Sequence, residues 1–321
     1  MLQQTTVAAV IPYYERWMTV FPTIRHVART SQQRILKVWQ GLGYYSRARN
    51  IHRSAQIICR EYNGQIPNDA ELLAKLPGFG PYTMAAVLSI AFGQTYPVVD
   101  ANVRRVCMRL LAMEGEAHPR HDRSIREYLE KIIDSKDPGT FNQAFMELGA
   151  LVCRAREPLC TICPVKSFCQ AYAKGIQEII PLPKKTQLKK VAAAIAVIRD
   201  GDVYFLQKRP SKGLFADLWE FPGGKIEQGE SPRAAVFREV DEELGIRLTS
   251  AQPLTKLKHF YTQFSVTLHV FLCEISHRPT IQSNRKWLKR NDLEKYPMPS
   301  GSARIVDFLL AEASRKNTLD K

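Results

Sequence analysis

Acidic residues are the scarce class in this chain: 31 Asp and Glu stand against 46 Lys and Arg, a formal net charge of +15. A deficit that large favours a polyanionic partner over a neutral metabolite, with nucleic acid the leading candidate. Long apolar runs are missing as well. VAAAIAVI and FNQAFMELGALVC fall short of the roughly 20 residues that a membrane helix needs, and no basic, apolar and small-residue succession of a secretory signal stands at the front. A soluble, intracellular protein with no membrane partner is expected. A disulfide framework is excluded on spacing: of seven cysteines, four lie within 17 residues, which is metal-ligand clustering. The other three, Cys59, Cys107 and Cys273, sit in apolar surroundings and read as core residues.

What is present divides into two grammars. At 321 residues the chain is long enough for two domains, each with its own core. Up to about residue 175 the apolar pattern is helical, broken at Pro22, GLGY, PGFGP and DPGT, with nothing strand-like. MLQQTTVAAVIPYYERW starts its periodic run at once, with no polar cap ahead of the first apolar residue. IIPLPKKTQLKK then reads as a linker. After it, VAAAIAVI, the turn RDGD and VYFLQK predict a hairpin, FSVTLHVFLCEI predicts a strand, and helical patterns occupy 231–244 and 302–314. The expected organisation is an all-α domain over 1–182, a linker over 183–190 and an α+β domain over 191–321. No internal repeat links the halves.

Cys153, Cys160, Cys163 and Cys169 follow the pattern C-x6-C-x2-C-x5-C. Four thiolates on one loop can hold an iron–sulfur cluster or a structural zinc, and chemistry alone does not choose. The spacing resembles the [4Fe-4S] loop of the endonuclease III and MutY branch of DNA glycosylases. Arg154, Arg156 and Lys166 on that loop are placed to meet phosphates. LPGFGPYT, residues 76–83, has the signature of a helix–hairpin–helix element. Gly78 and Gly80 allow a tight turn with positive φ, and the next helix offers backbone N–H groups to a phosphate. A lone PGxG would read as an ordinary helix-to-helix turn. Here VVDANVRRV follows, and after it the cysteine loop.

Taken in order, MLQQT, GLGYYSRARN, LPGFGPYT, VVDANV and the cysteine loop make residues 1 to about 182 similar to the MutY family of adenine glycosylases. The resemblance implies an all-α helix–hairpin–helix glycosylase domain with a [4Fe-4S] cluster, acting in base-excision repair on duplex DNA that pairs adenine with 8-oxoguanine. A monomer working at a bacterial-type nucleoid in the cytoplasm is expected. Asp100 becomes the carboxylate that faces the sugar C1′, with Asn102 and Tyr82 positioning it and the substrate. On its own Asp100 could equally be the N-cap of a helix beginning at ANVRRV. Bifunctional relatives carry a lysine where Tyr82 stands, so simple hydrolysis of a flipped base, leaving an abasic site, is implied. Leu42 and Tyr44 would wedge beside the lesion together with Gln4. Arg47 is read as a further DNA contact, though Arg47 and Arg49 also fit a solvated helix face and one tyrosine of the pair fits core packing. In the family a glutamate two residues before MLQQT protonates adenine. The chain opens at Met1 without it, and Glu15 lies beyond Pro12, so a start downstream of the family's own is expected.

GGKIEQGESPRAAVFREVDEELGI fits the Nudix box at every position from Gly224 to Ile246. Ser231 and Pro232 suit a helix start, and Glu239, Glu242 and Glu243 share one face, where they would hold Mg²⁺ on a nucleotide pyrophosphate or form a solvated acidic patch. The second half therefore resembles MutT and the C-terminal domain of MutY, an α+β Nudix fold. By that resemblance Tyr261, Thr262 and Gln263 occupy the place of a Phe-Ser-His loop that touches 8-oxoguanine, with Gln263 departing from the pattern. Hydrolysis of an oxidised nucleotide such as 8-oxo-dGTP is the alternative activity, and a non-catalytic lesion binder is the other.

Overall fold

The computed structural model describes residues 1–321 except 3–4, 184–188, 262–263 and 320–321, and leaves aside the side chains of 261 and 313–319. The chain forms two compact units, Met1–Gln56 with Thr186–Lys321, and Ile57–Lys185.

In the first unit α1 (Val7–Val20), α2 (Ile24–Arg29), α3 (Gln32–Trp39) and the start of α4 (Tyr45–Glu61) pack together. The expected immediate start of a helix is corrected: α1 begins only at Val7, with Thr6 at its N-cap making no side-chain bond. Ser31 caps α3 by accepting from Arg34 N. Tyr45, Ala48, His52 and Ala55 recur at helical spacing and bury one face of α4. Their core holds Trp17, Phe21, Ile35, Leu36, Trp39 and Leu42, and it admits Leu218 from the distant second half of the sequence.

The rest of that unit is a mixed sheet between two helices. Its strands are β1 (Lys189–Asp200), β2 (Val203–Lys208), β3 (Trp219–Glu220), β4 (Gly223–Lys225), β5 (Leu248–Tyr261), β6 (Phe264–Ile275) and β7 (Arg285–Lys289). The order is β3-β2-β1-β6-β5, with β4 also on β1 and β7 also on β2. The predicted hairpin is β1–β2, closed through Asp200 opposite Val203 with Gly201 at φ +59°. β1 opens at Lys189, inside the stretch expected to be linker. It runs parallel to β6 from Lys189 opposite Phe264 to Ile198 opposite Cys273. The helix α11 (Pro232–Leu244), between the Ser231 cap and Gly245, covers one face with Ala235, Val236 and Val240 against Ala196, Phe205 and Cys273. On the other face α12 (Ser300–Leu319) packs Ile305, Val306 and Leu309 against Val197, Leu206 and Val270.

The second unit is helical: the end of α4, then α5 (Ala70–Ala74), α6 (Pro81–Phe92), α7 (Ala101–Leu110), α8 (Asp122–Ile132), α9 (Pro138–Glu147) and α10 (Gln170–Ala173). Val103, Cys107, Met108, Ile125, Leu129 and Ala171 make its core. Cys107 and Cys273 are buried as expected, whereas Cys59 is only half-buried. Among the described residues no helix is long and apolar enough to cross a membrane.

Candidate active site and nucleic-acid interface

In the second unit the turn between α5 and α6 uses only one of its two glycines for a left-handed backbone. Gly78 has φ +85°, but Gly80 has φ −74° and is the extended N-cap of α6. The reading that both glycines need positive φ is corrected. At Gly80 a Cβ would meet nothing within 4 Å, so glycine there keeps the surface low in front of the α6 N-terminus. Pro81 at the first helical position lacks the N–H that the turn could not satisfy.

Asp100 is the N-cap of α7: Oδ1 accepts from Val103 N at 2.7 Å, and Oδ2 accepts from Asn102 Nδ2 at 3.3 Å. Both readings of Asp100 are thus compatible, because capping uses one oxygen. Burial, and after it the negative charge of Asp100, raise the Tyr82 phenol above its ordinary range, so Tyr82 and Asp100 share one environment. The Tyr82 hydroxyl points to Met146 Sδ at 3.9 Å. Two further arginines complete the arrangement. Arg105 donates to Asn102 Oδ1 at 2.9 Å, Gly149 O at 2.6 Å and Cys153 O at 2.9 Å. A hydrogen-bonded path therefore runs from Asp100 through Asn102 and Arg105 to the first cysteine of the loop. The approach is close enough that a Cβ on Gly149 would stand 2.6 Å from Asn102 Cβ.

Arg109, buried to 2% exposure, ties the cysteine loop from beneath by donating to Ile180 O, Arg154 O, Ala155 O and Cys153 Sγ. Cys153, Cys160, Cys163 and Cys169 line one cavity together with Arg109, Lys166 and Tyr172. Burial first, then the mutual repulsion of neighbouring thiolates, raises Cys160 and Cys163 above the ordinary thiol range. Among the described residues no three His, Cys, Asp or Glu side chains converge closely enough to share a single ion. Four thiols lining one cavity are the kind of donor set that an iron–sulfur cluster takes. Arg154 and Arg156 are exposed on this loop, Arg154 also donating to Glu157 O. Lys166 instead lies over the Tyr172 ring at 4.9 Å.

In the first unit the GLGYY turn separates its residues sharply. Tyr44, at φ +47°, is 43% exposed, while Tyr45 and Leu42 are buried at 4% and 6%. One tyrosine is core, as anticipated, and Leu42 lies inward in the helical core. Arg47 is half-buried, its guanidinium 5.2 Å from the Tyr44 ring and 5.4 Å from that of Trp39. Gln4 lies outside the described residues. So do Thr262 and Gln263, which follow Tyr261 at the end of β5; Tyr261 pairs with Phe264 across that hairpin. Beside them Phe260 is 67% exposed, an aromatic at the tip that motif matching passed over.

The Nudix box is knit together by Arg238. Its guanidinium binds both oxygens of Glu230, Glu239 Oε1, Glu242 Oε2 and Lys225 O, each at 3.0 Å. Glu243 instead accepts from Gln207 Nε2 at 2.7 Å and Gly223 N at 3.2 Å. Glu239, Glu242 and Glu243 share a helix face as expected, and Arg238 bonds one carboxylate oxygen of each of the first two. Sequence reasoning also missed Glu220, beside Glu243. Burial outweighs its Arg209 partner and lifts it to about 7.

A family model described as HhH-GPD superfamily base excision DNA repair protein matches residues 1–134, and a NUDIX domain model matches residues 193–308. The adenine DNA glycosylase of Rattus norvegicus is 31% identical over 369 residues, covering 99% of this chain and 71% of its own length. That of Homo sapiens is 32% identical over 345 residues, and the chain spans 63% of it. The adenine DNA glycosylase of Buchnera aphidicola subsp. Acyrthosiphon pisum (strain APS) is 33% identical over 324 residues, covering 99% of this chain and 89% of its own.

Proposed function

The chain belongs to the adenine DNA glycosylases of base-excision repair, a helix–hairpin–helix domain followed by a Nudix domain, and from that premise we propose that it removes adenine paired with 8-oxoguanine or guanine by hydrolysing the N-glycosidic bond. The observation that carries this reading is the Asp100 network: a carboxylate fixed by Val103 N and Asn102, beside a half-buried Tyr82. Such a carboxylate stabilises the oxocarbenium character that develops at C1′ as the base departs, or traps it. Tyr82 offers a neutral phenol where bifunctional relatives have an amine. No Schiff base forms, and the product is an abasic site. Gly78 and Gly80 seat a phosphate at the α6 N-terminus without reading sequence, and the flipped adenine lies against Asp100 and Tyr82.

Cys153, Cys160, Cys163 and Cys169 hold a 4Fe-4S cluster in this reading. When bound, the cluster supplies a rigid anchor for the loop bearing Arg154 and Arg156, so that these charges meet the DNA backbone. Tyr44 enters the duplex beside the lesion. Phe260 and Tyr261 at the end of β5, together with the residues Thr262 and Gln263 that follow in sequence, recognise 8-oxoguanine.

The test uses two duplexes with 8-oxoguanine opposite the reacting position, one carrying a cationic pyrrolidine nucleotide and the other a neutral tetrahydrofuran. A mimic of the developing charge binds more tightly where a carboxylate faces it. The protein should prefer the cationic duplex, and Asp100→Asn should abolish that preference while leaving affinity for the neutral one. Equal preference in both proteins would overturn the assignment of Asp100.

A further inference from the structure

Gln40 and Tyr45 bracket the turn that presents Tyr44, and both hold the backbone of one residue far along the chain. Gln40 Oε1 accepts from Met298 N at 3.0 Å, and the Tyr45 hydroxyl donates to Met298 O at 3.2 Å. The same hydroxyl accepts from Gly41 N at 3.4 Å, inside the turn itself. Met298 thereby closes a ring of hydrogen bonds around the base of Gly41–Tyr44. The turn has little freedom besides: Gly41 sits at φ +102° against the Tyr13 hydroxyl, and Tyr44 is itself left-handed.

A second line of contacts extends the grip. Gln33 Oε1 accepts from Trp219 Nε1 at 2.8 Å, Gln33 Nε2 donates to Asp217 O at 3.0 Å, and Gln32 Nε2 donates to Asp217 Oδ2 at 3.0 Å. Arg49 donates to Ala216 O at 2.9 Å, and Phe215 stands edge-on to Tyr45. Phe215 and Asp217 take left-handed backbone angles, φ +58° and +63°, uncommon for a bulky residue such as Phe215 unless its surroundings hold it there. Ala216, Leu218, Trp219 and Met298 are all buried at 4% exposure or less. A buried, bidentate and conformationally demanding contact fixes geometry in a way that a loose touching of exposed surfaces does not.

We infer that Gln40, Tyr45, Trp219 and Met298 form a clamp through which the Nudix half sets the position of Tyr44, making these positioning residues determinants of lesion specificity. The inference rests on the reading of Tyr44 as the residue that enters the duplex. It assigns the second half two tasks: touching the damaged base, and holding the wedge that tests the stack beside it.

The test measures the ratio of affinities for an 8-oxoguanine duplex, bearing a non-cleavable adenine analogue, and for a matched duplex. It also reads the fluorescence step of a 2-aminopurine placed next to the lesion, which reports unstacking at saturating protein. Tyr45→Phe with Trp219→Phe removes one hydroxyl and one indole N–H and keeps the rings. The variant should bind matched duplex as the parent does, lose about tenfold in the ratio, and lose most of the fluorescence step. A purely structural role would lower Tm without changing that step at saturation, and an unchanged ratio and step would overturn the clamp. Tyr44→Ala is run alongside. If it too leaves both readouts unchanged, the reading of Tyr44 fails; if it alone abolishes them, only the clamp fails. Should the double variant not fold, Gln40→Leu serves: hydrogen exchange at the Met298 amide should accelerate and the ratio fall together, and acceleration with an unchanged ratio overturns the inference.

Discussion

Replacing Arg105 with Gln perturbs the Asp100 site while leaving in place every residue expected to touch DNA. The guanidinium serves Cys153 O, Gly149 O and Asn102 Oδ1 at once, and a glutamine amide reaches at most one of the three. Each acceptor left without a donor costs about 1 kcal/mol where water reaches it and up to about 3 kcal/mol where it does not. Arg105 is half-buried, so two orphaned acceptors amount to about 2–4 kcal/mol. For a unit the size of residues 57–185 that lowers Tm by roughly 6–15 °C. A second readout separates this from general damage. Asn102 loses the partner that orients its amide, the bond to Asp100 loosens, and preference for the cationic pyrrolidine duplex over the neutral one falls about tenfold. Arg105→Lys keeps the charge but not the planar fork and should recover only part of both. An R105Q protein that melts with the parent and keeps its preference would refute the idea that Arg105 joins the carboxylate to the cysteine loop.

Gly149→Ala should produce the same two changes from the opposite side, since the added methyl displaces Asn102; parental melting and parental pyrrolidine preference would argue against it. Cys160→Ser should remove visible absorption and the expected content of about four irons per chain, and DNA affinity should drop with a shallower salt dependence as Arg154 and Arg156 lose their anchor; colourless parent protein with stoichiometric zinc would reverse the cluster assignment. Glu220, with a pKa lifted to about 7 by burial, binds its proton more tightly folded than unfolded. The stability it contributes is complete below the unfolded value, declines as pH rises, and is gone above about 7. Urea midpoints of the parent should therefore fall across that window, and Glu220→Gln should flatten the profile; identical profiles would contradict the burial argument. Incubated with Mg²⁺ and 8-oxo-dGTP, the full chain should release phosphate at background, equal to Glu242→Gln, because Arg238 stands among the acids; release above that control would show the box to be active.

Segments whose periodicity agreed with their turn chemistry were legible in advance. The β1–β2 hairpin has an apolar run, an Asp-Gly turn and a second apolar run; α11 has Ser231 and Pro232 at its start and Gly245 at its end. β5 was not anticipated. Its Ser250, Gln252, Thr255, Lys256, Lys258 and His259 dilute the alternation, and Pro253 argues against a strand, but a register shift between Pro253 and Thr255 accommodates the proline and β6 supplies the pairing. Asp100, Asn102 and Tyr82 could be named as candidates because their motifs are local and ordered, and the structure brings them together. Arg105 and Arg109 could not, since an arginine on a helix of a basic chain reads as a solvated face until its distant carbonyl partners are known. The grouping of the first 56 residues with the second half was equally hidden, because it depends on pairs such as Gln33 with Trp219, 186 positions apart.

Arg238 also explains how an intact Nudix box sits in a protein whose other features point to duplex DNA. An unpaired acidic helix face beside a phosphodiester backbone would repel it, which makes three retained glutamates costly unless something offsets their charge. The offset is internal. Glu230, Glu239 and Glu242 are drawn onto one guanidinium, and Glu243 is occupied by Gln207 and the Gly223 amide. Each box position then has a task within the fold. Glu230 and Arg238 fasten the loop after β4 onto α11, with Arg238 reaching Lys225 O, and Gly224 must lack a Cβ because the Glu239 carboxylate stands where one would be. Packing alone therefore requires much of the motif, and a complete box does not by itself imply hydrolysis. What remains of the negative charge is lessened by the pairing, on a domain whose β5–β6 hairpin carries an exposed Phe260.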